Sequence, residues 1–314
     1  MASGQNCTGE SMKTISQCPV CRQDAGRKWP GLVAPFIASF VLESSSSPCL
    51  LLECESCRLR FFNGRFEPGE LNRLYAGYRG ESYFRSRHHF EPWYGERHNE
   101  GTGHDPNVVA QRKAYLGAFL KQRGLETVER VLDYGGDSGQ FIPDQVGIVR
   151  HLFEVSAADP VNGVTKISDE EALEPGSYDL ILLSHVLEHV PDPVELLHSL
   201  FALLRPGGGA LYLEVPHERY RIWSGKGRLQ QRYLTWLCRH SALLRLVDFL
   251  STSCRVILGV VPPLGFPKLH EHINLFDETS LRMVCERAGL LVEACASSTR
   301  RDGHVISLLA KRKA

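Results

Sequence analysis

Residues 131–139 read Val-Leu-Asp-Tyr-Gly-Gly-Asp-Ser-Gly, a short apolar run that leads into an acid and a glycine-rich turn. Glycine lets the backbone turn sharply and approach a polar ligand closely. Glu154 ends a second apolar run, 21 residues after Asp133. A carboxylate at this position of an α/β fold accepts hydrogen bonds from both hydroxyls of a ribose. The two motifs together predict a binding site for a ligand that contains a nucleoside.

A second group of reactive side chains is His270-Glu271-His272. A neutral imidazole takes a proton near pH 7, and a neighbouring carboxylate can orient it and raise its basicity. In an extended segment, His270 and His272 share one face and Glu271 lies on the other. We predict a functional role for at least one of the three. The alternative is that a histidine caps the helix predicted to begin near Asp277, which is itself a good N-cap.

Two Cys-x-x-C pairs, Cys18/Cys21 and Cys54/Cys57, are separated by 32 residues. Each pair can hold a metal ion from both sides of a tight turn, and two pairs complete a tetrahedral zinc site. A redox pair is the alternative, although one Cys-x-x-C would suffice for it. Four thiolates leave no open coordination position, so we predict a structural Zn²⁺ ion within a zinc ribbon.

The rest of the chain predicts the elements that position these groups. Residues 177–183 end in the continuous apolar run Leu180–Leu183, as is typical of a buried parallel strand. Helices are predicted over 107–123 and 279–288 and after Pro193, and strands over 131–133, 151–156, 177–183, 210–216, 290–294 and 304–310. This alternation predicts an α/β fold with a doubly wound sheet. The domains would be a zinc ribbon over 1–65, an aromatic linker over 66–106 and the α/β domain over 107–314.

Composition limits the function classes. Lys+Arg and Asp+Glu both total 36, so the formal net charge is zero, which argues against a nucleic-acid-binding protein. The sequence shows no signal-peptide pattern and no apolar run of the ~18 residues that a membrane span needs. We therefore expect a cytoplasmic protein with a core of ordinary enzyme size.

Two segments have two interpretations each. The aromatic linker, with Tyr83-Phe84 and Trp93-Tyr94, either packs the ribbon onto the α/β domain and covers its site or stacks on nucleic-acid bases. The interleaved acids favour packing. Residues 217–267 form an insertion, which we predict to be a helical cap over the acceptor site. Its basic residues could hold a substrate phosphate, and an amphipathic surface that touches membrane is the alternative.

These motifs occur in a familiar order: VLDYGGDSG, FEVS, SYDLILLSHVLEHVPDP, LLRPGGG and LYLEVP. In that order the chain resembles the class I S-adenosylmethionine-dependent methyltransferases, over roughly residues 107–314. The cysteine pairs resemble the ribbon that precedes such domains in many bacterial sugar and natural-product methyltransferases. The resemblance implies a Rossmann-like, seven-stranded methyltransferase sheet and S-adenosyl-L-methionine as the cofactor.

The resemblance also implies a set of cofactor-binding residues: Asp133, Gly135, Gly136, Gly139, Glu154, Asp169 and Ser184. By position, Asp133, Gly135 and Gly139 would hold the methionine part of the cofactor. Glu154 would take the ribose hydroxyls, and Asp169, or Ser168 beside it, would lie near the adenine.

Further residues are implied at the acceptor. His185 begins the loop after the fourth strand, where the family lines the methyl-transfer cleft. Glu188 and His189 follow it, and for these two we favour a structural hydrogen-bonded pair beneath that loop. Residues 269–272 resemble the Tyr-His-Glu-His stretch of ribbon-containing C-methyltransferases that act on nucleotide-linked keto-deoxysugars. There the last Glu and His lie at the sugar, while the family's tyrosine is Leu269 here, which leaves O-methylation equally open.

The sequence thus predicts methyl transfer to a small molecule, a sugar or natural-product intermediate that is free, nucleotide-linked or lipid-linked. The candidate catalytic residues are His272, Glu271, His270 and His185, with a His/Glu pair as the base that takes a proton from the acceptor. One rival is an RNA methyltransferase whose ribbon and linker hold nucleic acid. The other is a non-catalytic binding protein that keeps the fold as a scaffold.

Overall fold

The computed structural model describes residues 12–101, 103–300 and 303–312. Its N-terminal part is a small antiparallel unit with one helix, made of β1 (Lys13–Thr14), β2 (Arg27–Val33), α1 (Pro35–Phe40), β3 (Pro48–Glu53), β4 (Arg60–Phe62) and β5 (Gly64–Arg65). Strands β2, β3 and β4 pair as an antiparallel meander, and β1 pairs with β5. One cysteine pair follows β1 and the other lies between β3 and β4. We call this unit the ribbon.

The aromatic linker is largely helical, with α2 (Pro68–Tyr75), α3 (Glu81–Phe90) and α4 (Glu96–Gly101). Tyr83 of α3 is fully buried, and its ring makes edge contacts with the rings of Phe36 at 5.1 Å and Tyr78 at 5.2 Å. Such edge contacts between buried rings are favourable beyond the area they bury. They pack the linker onto α1 of the ribbon and leave Tyr83 no free face for a nucleic-acid base.

The first half of the α/β domain contains, in order, α5 (Pro106–Lys121), β6 (Arg130–Tyr134), β7 (Val149–Phe153), β8 (Thr165–Ile167), β9 (Leu180–Ser184), α6 (Pro193–Leu203) and β10 (Ala210–Pro216). The predicted alternation of helices and strands is incomplete, because the described residues that connect the strands from β6 to β9 form loops and one short 3-10 helix, Glu170–Ala172. Asp105 caps α5 and Asp192 caps α6, each by accepting hydrogen bonds from backbone N–H groups of the first turn. Leu180 to Leu183 of β9 are buried on both faces, as its apolar run predicts.

The insertion is mainly helical, with β11 (Arg221–Ile222), α7 (Arg228–Leu237), α8 (Ser241–Leu258) and β12 (Val260–Val261). Its inner face is anchored by Leu234, Leu237 and Leu244, which pack against Leu32 of the ribbon. The last turn of α8 exposes apolar side chains to solvent, among them Ile257 at 78%. Within the described ranges, none of the helices combines the length and the apolar character that crossing a membrane requires.

The segment after the insertion returns to the ribbon as β13 (Lys268–Leu269) and β14 (Asn274–Leu275). Strand β13 pairs with β2 and β14 pairs with β4, so the ribbon sheet has the order β13-β2-β3-β4-β14. The sequence predicts one extended segment here. Instead, the chain bends at His270–Glu271 because its two short strands join opposite edges of that sheet.

The chain ends with α9 (Glu278–Arg287), β15 (Leu290–Arg300) and β16 (Gly303–Arg312). Asp277 and Ser280 form a capping box at the start of α9, so the cap is the predicted aspartate and not a histidine. Strand β15 runs six residues beyond its predicted end at Ala294, because β16 pairs along its whole length with one register shift.

The large sheet has seven strands in the order β15-β16-β10-β9-β6-β7-β8. All neighbours from β10 to β8 are parallel, and β16 is antiparallel to both of its neighbours. The chain moves from β6 outward to β8 and then crosses to β9 on the other side of β6. In doubly wound sheets, ligands bind beyond the carboxyl ends of the strands at this switch point.

Candidate functional site

The turn after β6 brings backbone to the switch point. Gly135 has φ +72°, and a Cβ atom there would lie 2.7 Å from Cγ2 of Val186. At Gly136 a Cβ would lie 2.1 Å from the carboxyl carbon of Asp133. Real Cβ atoms are not found this close to other heavy atoms, so the turn requires glycine at both positions. Asp137, at φ +60°, accepts a hydrogen bond from Gln140 Nε2 at 3.0 Å.

Asp133 lies beneath this turn with 2% of its surface exposed. Its Oδ2 atom has no hydrogen-bond partner among the described residues. Burial raises the pKa of Asp133 to about 7, against the attraction of Arg112 and with a further increase from Glu154. A buried carboxylate oxygen without a donor is expected where a ligand supplies the donor.

Glu154 lies directly after β7, beside the same turn. Its Oε2 accepts a hydrogen bond from the backbone N–H of Asp137 at 3.0 Å, and its Oε1 accepts one from that of Ser156 at 2.8 Å. The two bonds fix the orientation of the carboxylate. Each oxygen keeps a lone pair for a further donor such as a ribose hydroxyl.

The two other predicted cofactor residues lie along the same edge of the sheet. Asp169 follows β8 and caps a short 3-10 helix by accepting a hydrogen bond from the backbone N–H of Glu171 at 3.0 Å. Ser184 is the last residue of β9, and it lines a small pocket together with Glu214 and Arg300. The structure thus places all the predicted cofactor residues at the carboxyl ends of β6, β7, β8 and β9.

The His270–His272 bend changes the predicted orientation of this motif. All three side chains line one cavity of about 310 Å³, whereas the sequence predicts Glu271 on the face opposite the histidines. The ribbon contributes Phe62 to the cavity wall, and the linker contributes Arg87, Glu91 and Trp93. The insertion and the start of β13 supply its remaining charged residues, Glu218, Arg255 and Lys268.

Glu271 is held by the linker. Its Oε1 accepts a hydrogen bond from the hydroxyl of Tyr83 and lies 3.3 Å from Nη1 of Arg87, and the Tyr78 hydroxyl lies 3.4 Å from Oε2. Burial opposes ionisation, but Arg87 outweighs it and lowers the pKa of Glu271 to about 2. Glu271 is therefore a fixed anion that orients its neighbours.

His270 lies on the other side of the cavity. Its ring stacks on Phe36, and its Nε2 lies 3.4 Å from Oε1 of Glu91. That same carboxylate oxygen accepts a hydrogen bond from Lys268 Nζ at 2.7 Å. Glu91 of the linker thus contacts both Lys268 and His270, and it connects the segment around β13 to the linker.

His272 connects the cavity with the loop after β9. Its Nδ1 is hydrogen-bonded to Glu218 of the insertion, and its ring centroid lies 4.7 Å from that of His189. Burial by itself would lower the pKa of His272. The carboxylates of Glu218, Glu188 and Glu271 outweigh burial and raise the pKa to about 9.

His185, Glu188 and His189 follow β9, with His185 in the left-handed region at φ +57°. His185 Nε2 lies 3.2 Å from Oε1 of Glu214, and its Nδ1 lies 3.5 Å from Oε1 of Glu188. The predicted hydrogen-bonded pair of Glu188 and His189 is wrong. His189 Nε2 lies 3.8 Å from Glu188, because His189 Nδ1 is instead engaged by the carbonyl of Glu271 at 3.1 Å.

Glu214 of β10 is an important residue to which the sequence assigned no role. It is 2% exposed and receives two hydrogen bonds from Arg300, at 2.7 and 2.8 Å. Arg112 approaches the same carboxylate at 3.2 Å, and the Tyr212 hydroxyl donates to it at 2.7 Å. The sequence does contain a signal for this role: Glu214 is an acid within the apolar strand Leu-Tyr-Leu-Glu-Val-Pro. An acid that such a strand buries needs a partner.

The four ribbon cysteines converge. Their Sγ atoms all lie within 4.8 Å of one another, with Cys18 at 3.4 Å from Cys57 and Cys21 at 3.3 Å from Cys54. All four are buried, and none is in a disulfide. Sulfur atoms on a tetrahedral zinc ion lie ~3.8 Å apart. The thiols therefore suit a single ion, and they pack in the same hydrophobic cluster as Leu183 of the large sheet.

The strand order, the glycine turn after β6 and the acid after β7 define a Rossmann-like class I methyltransferase fold. A family model described as "Methyltransferase domain" matches residues 103–294, which is more than half of the chain. The chain belongs to this family of S-adenosylmethionine-dependent methyltransferases and is an enzyme of that class.

Curated relatives match shorter stretches. The ubiquinone biosynthesis O-methyltransferase of Xanthomonas campestris pv. campestris (strain B100) is 42% identical over 67 residues, covering 21% of this chain and 28% of that protein. The one of Xanthomonas euvesicatoria pv. vesicatoria (strain 85-10) is 42% identical over 114 residues, covering 31% and 46%. The chain therefore spans less than half of the length of these relatives.

Solved structures of methyltransferases are similar at lower identity. The 1,6-didemethyltoxoflavin-N1-methyltransferase of Burkholderia thailandensis, bound to S-adenosylhomocysteine, is 15% identical with a TM-score of 0.45, covering 85% of this chain and 96% of that one. The magnesium protoporphyrin IX methyltransferase of Synechocystis PCC 6803 is 18% identical with a TM-score of 0.42, covering 74% and 97%.

Proposed function

We propose that this enzyme transfers the methyl group of S-adenosylmethionine to an oxygen or carbon atom of a small polar acceptor bound in the 310 Å³ cavity. The observation that carries this proposal is the position of His272. This side chain lines the cavity and also packs against His189 in the loop after β9, next to the switch point of the sheet. It thus links an acceptor-sized space to the cofactor edge of the sheet.

The residues at that edge fit the cofactor. The unpartnered Oδ2 of Asp133 suits the ammonium of the methionine part, and the bare turn at Gly135, Gly136 and Gly139 leaves room for it. Glu154 would hold the ribose hydroxyls, with Asp169 and Ser184 as further contacts. When bound, the cofactor supplies an electrophilic methyl group, and the chain's own residues bind and align the two reactants.

The cavity fits a polar acceptor. Arg87, Arg255 and Lys268 face it together with Glu91, Glu218 and Glu271, so hydroxyl, carbonyl and charged groups all find partners. We propose a sugar or another natural-product intermediate, and the names of the curated relatives favour O-methylation. A nucleotide-linked acceptor could place its phosphates on the basic residues of the insertion. The exposed apolar end of α8 would suit a lipid-linked acceptor at a membrane surface.

Within the cavity, we propose that His272, backed by Glu218, meets the reacting atom of the acceptor. Glu271 and His270 orient the acceptor from the same bend, and His185 lies within 3.5 Å of both Glu188 and Glu214 at the start of the loop after β9. We further propose that Cys18, Cys21, Cys54 and Cys57 hold a structural zinc ion, because their four buried thiols converge on one point.

The proposed function is tested by calorimetric titration with S-adenosylmethionine and S-adenosylhomocysteine, followed by a screen of hydroxylated acceptors. We expect micromolar binding of both cofactor forms and methylation of at least one class of acceptor. A folded, zinc-loaded protein that binds neither form would instead support the non-catalytic scaffold. A strongly salt-dependent affinity for RNA would support the RNA methyltransferase.

Replacing Glu154 by alanine should weaken binding of both cofactor forms by about 1–3 kcal/mol, because charge-assisted hydrogen bonds to the ribose are lost. Titration calorimetry measures this change. The matched control is Glu171→Ala, which removes an exposed acid from the same edge of the sheet and should leave affinity unchanged. Equal affinities for the Glu154→Ala variant and the native protein would eliminate the ribose role.

Cofactor affinity should also depend on pH through Asp133. Its pKa in the free protein is about 7 instead of the ordinary 3.8, so below pH 7 the acid is mostly neutral and must lose a proton to pair with an ammonium. The dissociation constant should therefore rise by about tenfold per unit as pH falls below 7. The sign for stability is opposite, because a raised pKa favours the folded free protein at low pH and this contribution is lost as pH rises through 7.

The measurement is titration calorimetry between about pH 5.5 and pH 8.5, on either side of the pKa. Arg112, Glu154 and Asp137 are the charged groups that influence Asp133. Asp133→Asn should bind weakly at every pH and lose the dependence. A native profile that is flat through pH 7 would contradict the pairing.

A further inference from the structure

The carboxylate of Glu188 is unusual among the charged groups of the site. It is 1% exposed, yet neither Oε1 nor Oε2 accepts a hydrogen bond from any described residue. Burying an ionised carboxylate without donors is costly, and such groups are normally paired, hydrogen-bonded or bound to a metal. This side chain points into the space between the β9 loop and the His270–His272 bend.

Three imidazoles surround this carboxylate. His185 Nδ1, 3.5 Å from Oε1 of Glu188, is an ion-pair partner whose Nε2 faces Glu214, and two further imidazoles face the space on the side of the bend. His189 Nε2 lies 3.8 Å and His272 Nε2 lies 4.0 Å from Oε1 of Glu188. These distances are too long for hydrogen bonds. The three ligand atoms all lie within 4.8 Å of one another, and donor atoms on a tetrahedral ion with ~2.05 Å bonds would lie ~3.4 Å apart. Binding one ion would require the two carboxylate–imidazole distances to shorten by about 0.4 and 0.6 Å, and the distance between the two imidazole nitrogens to shorten by at most about 1.4 Å.

The other nitrogen of each ring is already oriented. His189 Nδ1 donates to the backbone carbonyl of Glu271 at 3.1 Å, since a carbonyl can only accept. His272 Nδ1 is hydrogen-bonded to the carboxylate of Glu218. Metal-binding histidines show this arrangement, in which a carbonyl or carboxylate fixes the ring and directs the remaining nitrogen at the metal.

From this geometry we propose that Glu188, His189 and His272 bind a divalent first-row transition-metal ion at the inner wall of the acceptor cavity. Two imidazoles and one carboxylate favour such an ion over Mg²⁺ or Ca²⁺, which prefer oxygen ligands throughout. Three protein ligands leave coordination positions open, as catalytic sites do and the four-cysteine site does not.

The role of the ion rests on the proposed function. Of the three proposed ligands, His272 is the one that lines the cavity, so an ion bound to its Nε2 would lie beside the place of the acceptor. An acceptor with oxygen donors, a hydroxyl beside a second oxygen, would complete the coordination. The ion would align the acceptor and lower the pKa of its hydroxyl. His272 would then act as a ligand of the ion, and it would not itself take a proton from the methyl acceptor.

The test uses Mn²⁺ as the probe on the full-length protein prepared with no more than one zinc ion per chain, so that zinc does not occupy the proposed site, with electron paramagnetic resonance to follow free Mn²⁺. Thiolates select softer ions, so Mn²⁺ does not compete for the cysteine site. We expect one Mn²⁺ per chain. Glu188→Gln and His272→Asn should each weaken its binding by at least about tenfold, the lower end of what loss of a supporting residue costs a metal site.

Matched controls are Glu195→Gln and His198→Asn, exposed residues of the neighbouring helix α6, which should bind Mn²⁺ as the native protein does. Circular dichroism and calorimetric binding of S-adenosylhomocysteine on the same samples establish that each variant is folded. Absence of Mn²⁺ binding to the native protein would overturn the metal site, and so would binding that Glu188→Gln and His272→Asn leave unchanged.

The two proposals fail separately. A protein that binds S-adenosylhomocysteine but no Mn²⁺ keeps the proposed function and loses the metal site. A protein that binds Mn²⁺ through Glu188 but neither cofactor form keeps the metal site and loses the proposed function.

Discussion

Replacing Cys54 by serine is expected to abolish binding of the proposed zinc ion and unfold the ribbon. A structural zinc ion contributes about 10–16 kcal/mol to the folding of small zinc-dependent peptides, and loss of one thiolate leaves it an incomplete site. The four cysteines belong to the same hydrophobic cluster as strand β9, so the damage should reach the large sheet as a lower unfolding temperature. Elemental analysis and thermal unfolding measure the two effects. Methyl transfer should be lost, because β13 and β14 pair with the ribbon.

The control is Cys254→Ser, which changes a partly exposed cysteine of helix α8 outside the four-thiol cluster. It should retain one zinc ion per chain and the native unfolding temperature. A native protein purified without zinc, together with a Cys54→Ser variant of unchanged stability, would show that the thiols pack as ordinary buried side chains.

Replacing Glu214 by glutamine is expected to destabilise the protein by about 3–5 kcal/mol, the usual cost of removing one partner from a buried ion pair. The side chain of Arg300, which is 4% exposed, would lose its ion pair with Glu214, and so would Arg112. Glutamine preserves the shape of the side chain, so the change isolates its charge. In urea unfolding, the variant should have a lower midpoint concentration, while the slope of the unfolding free energy against urea concentration should stay unchanged.

The comparison variant is Glu174→Gln, which breaks the exposed ion pair between Glu174 and Arg130. Surface pairs contribute about 0–1 kcal/mol, so this variant should unfold close to the native midpoint. If the Glu214→Gln and Glu174→Gln variants were equally stable, Arg300 would have to find another acceptor within the fold.

The cofactor half of the site could be predicted from the sequence because its signals are local. Asp133, Glu154 and Ser184 each end a short apolar strand, and parallel strands bring their carboxyl ends to one edge whatever the details of packing. The glycine turn needs only its own residues and the neighbouring strands. The positions of these residues follow from the strand pattern, while their individual roles towards the cofactor stay predictions.

The acceptor half could not be predicted because its contacts are distant in sequence. The bend at His270–Glu271 arises from pairing with β2 and β4, and no property of residues 268–275 alone specifies it. Glu218 reaches His272 from the insertion. For Tyr83 and Arg87 the sequence indicates only that they share one face of a helix, because they are four positions apart. Nothing local indicates that this face meets Glu271.

The pairing of β13 with β2 joins residues more than two hundred positions apart. Contacts of such separation close long loops and form slowly, whereas the parallel strands β6 to β9 lie close together in sequence. During synthesis the ribbon meander can form first and the cofactor edge next. The acceptor cavity must wait until the segment before α9 has been made. A chain interrupted before that segment would therefore have a cofactor edge but no closed place for an acceptor.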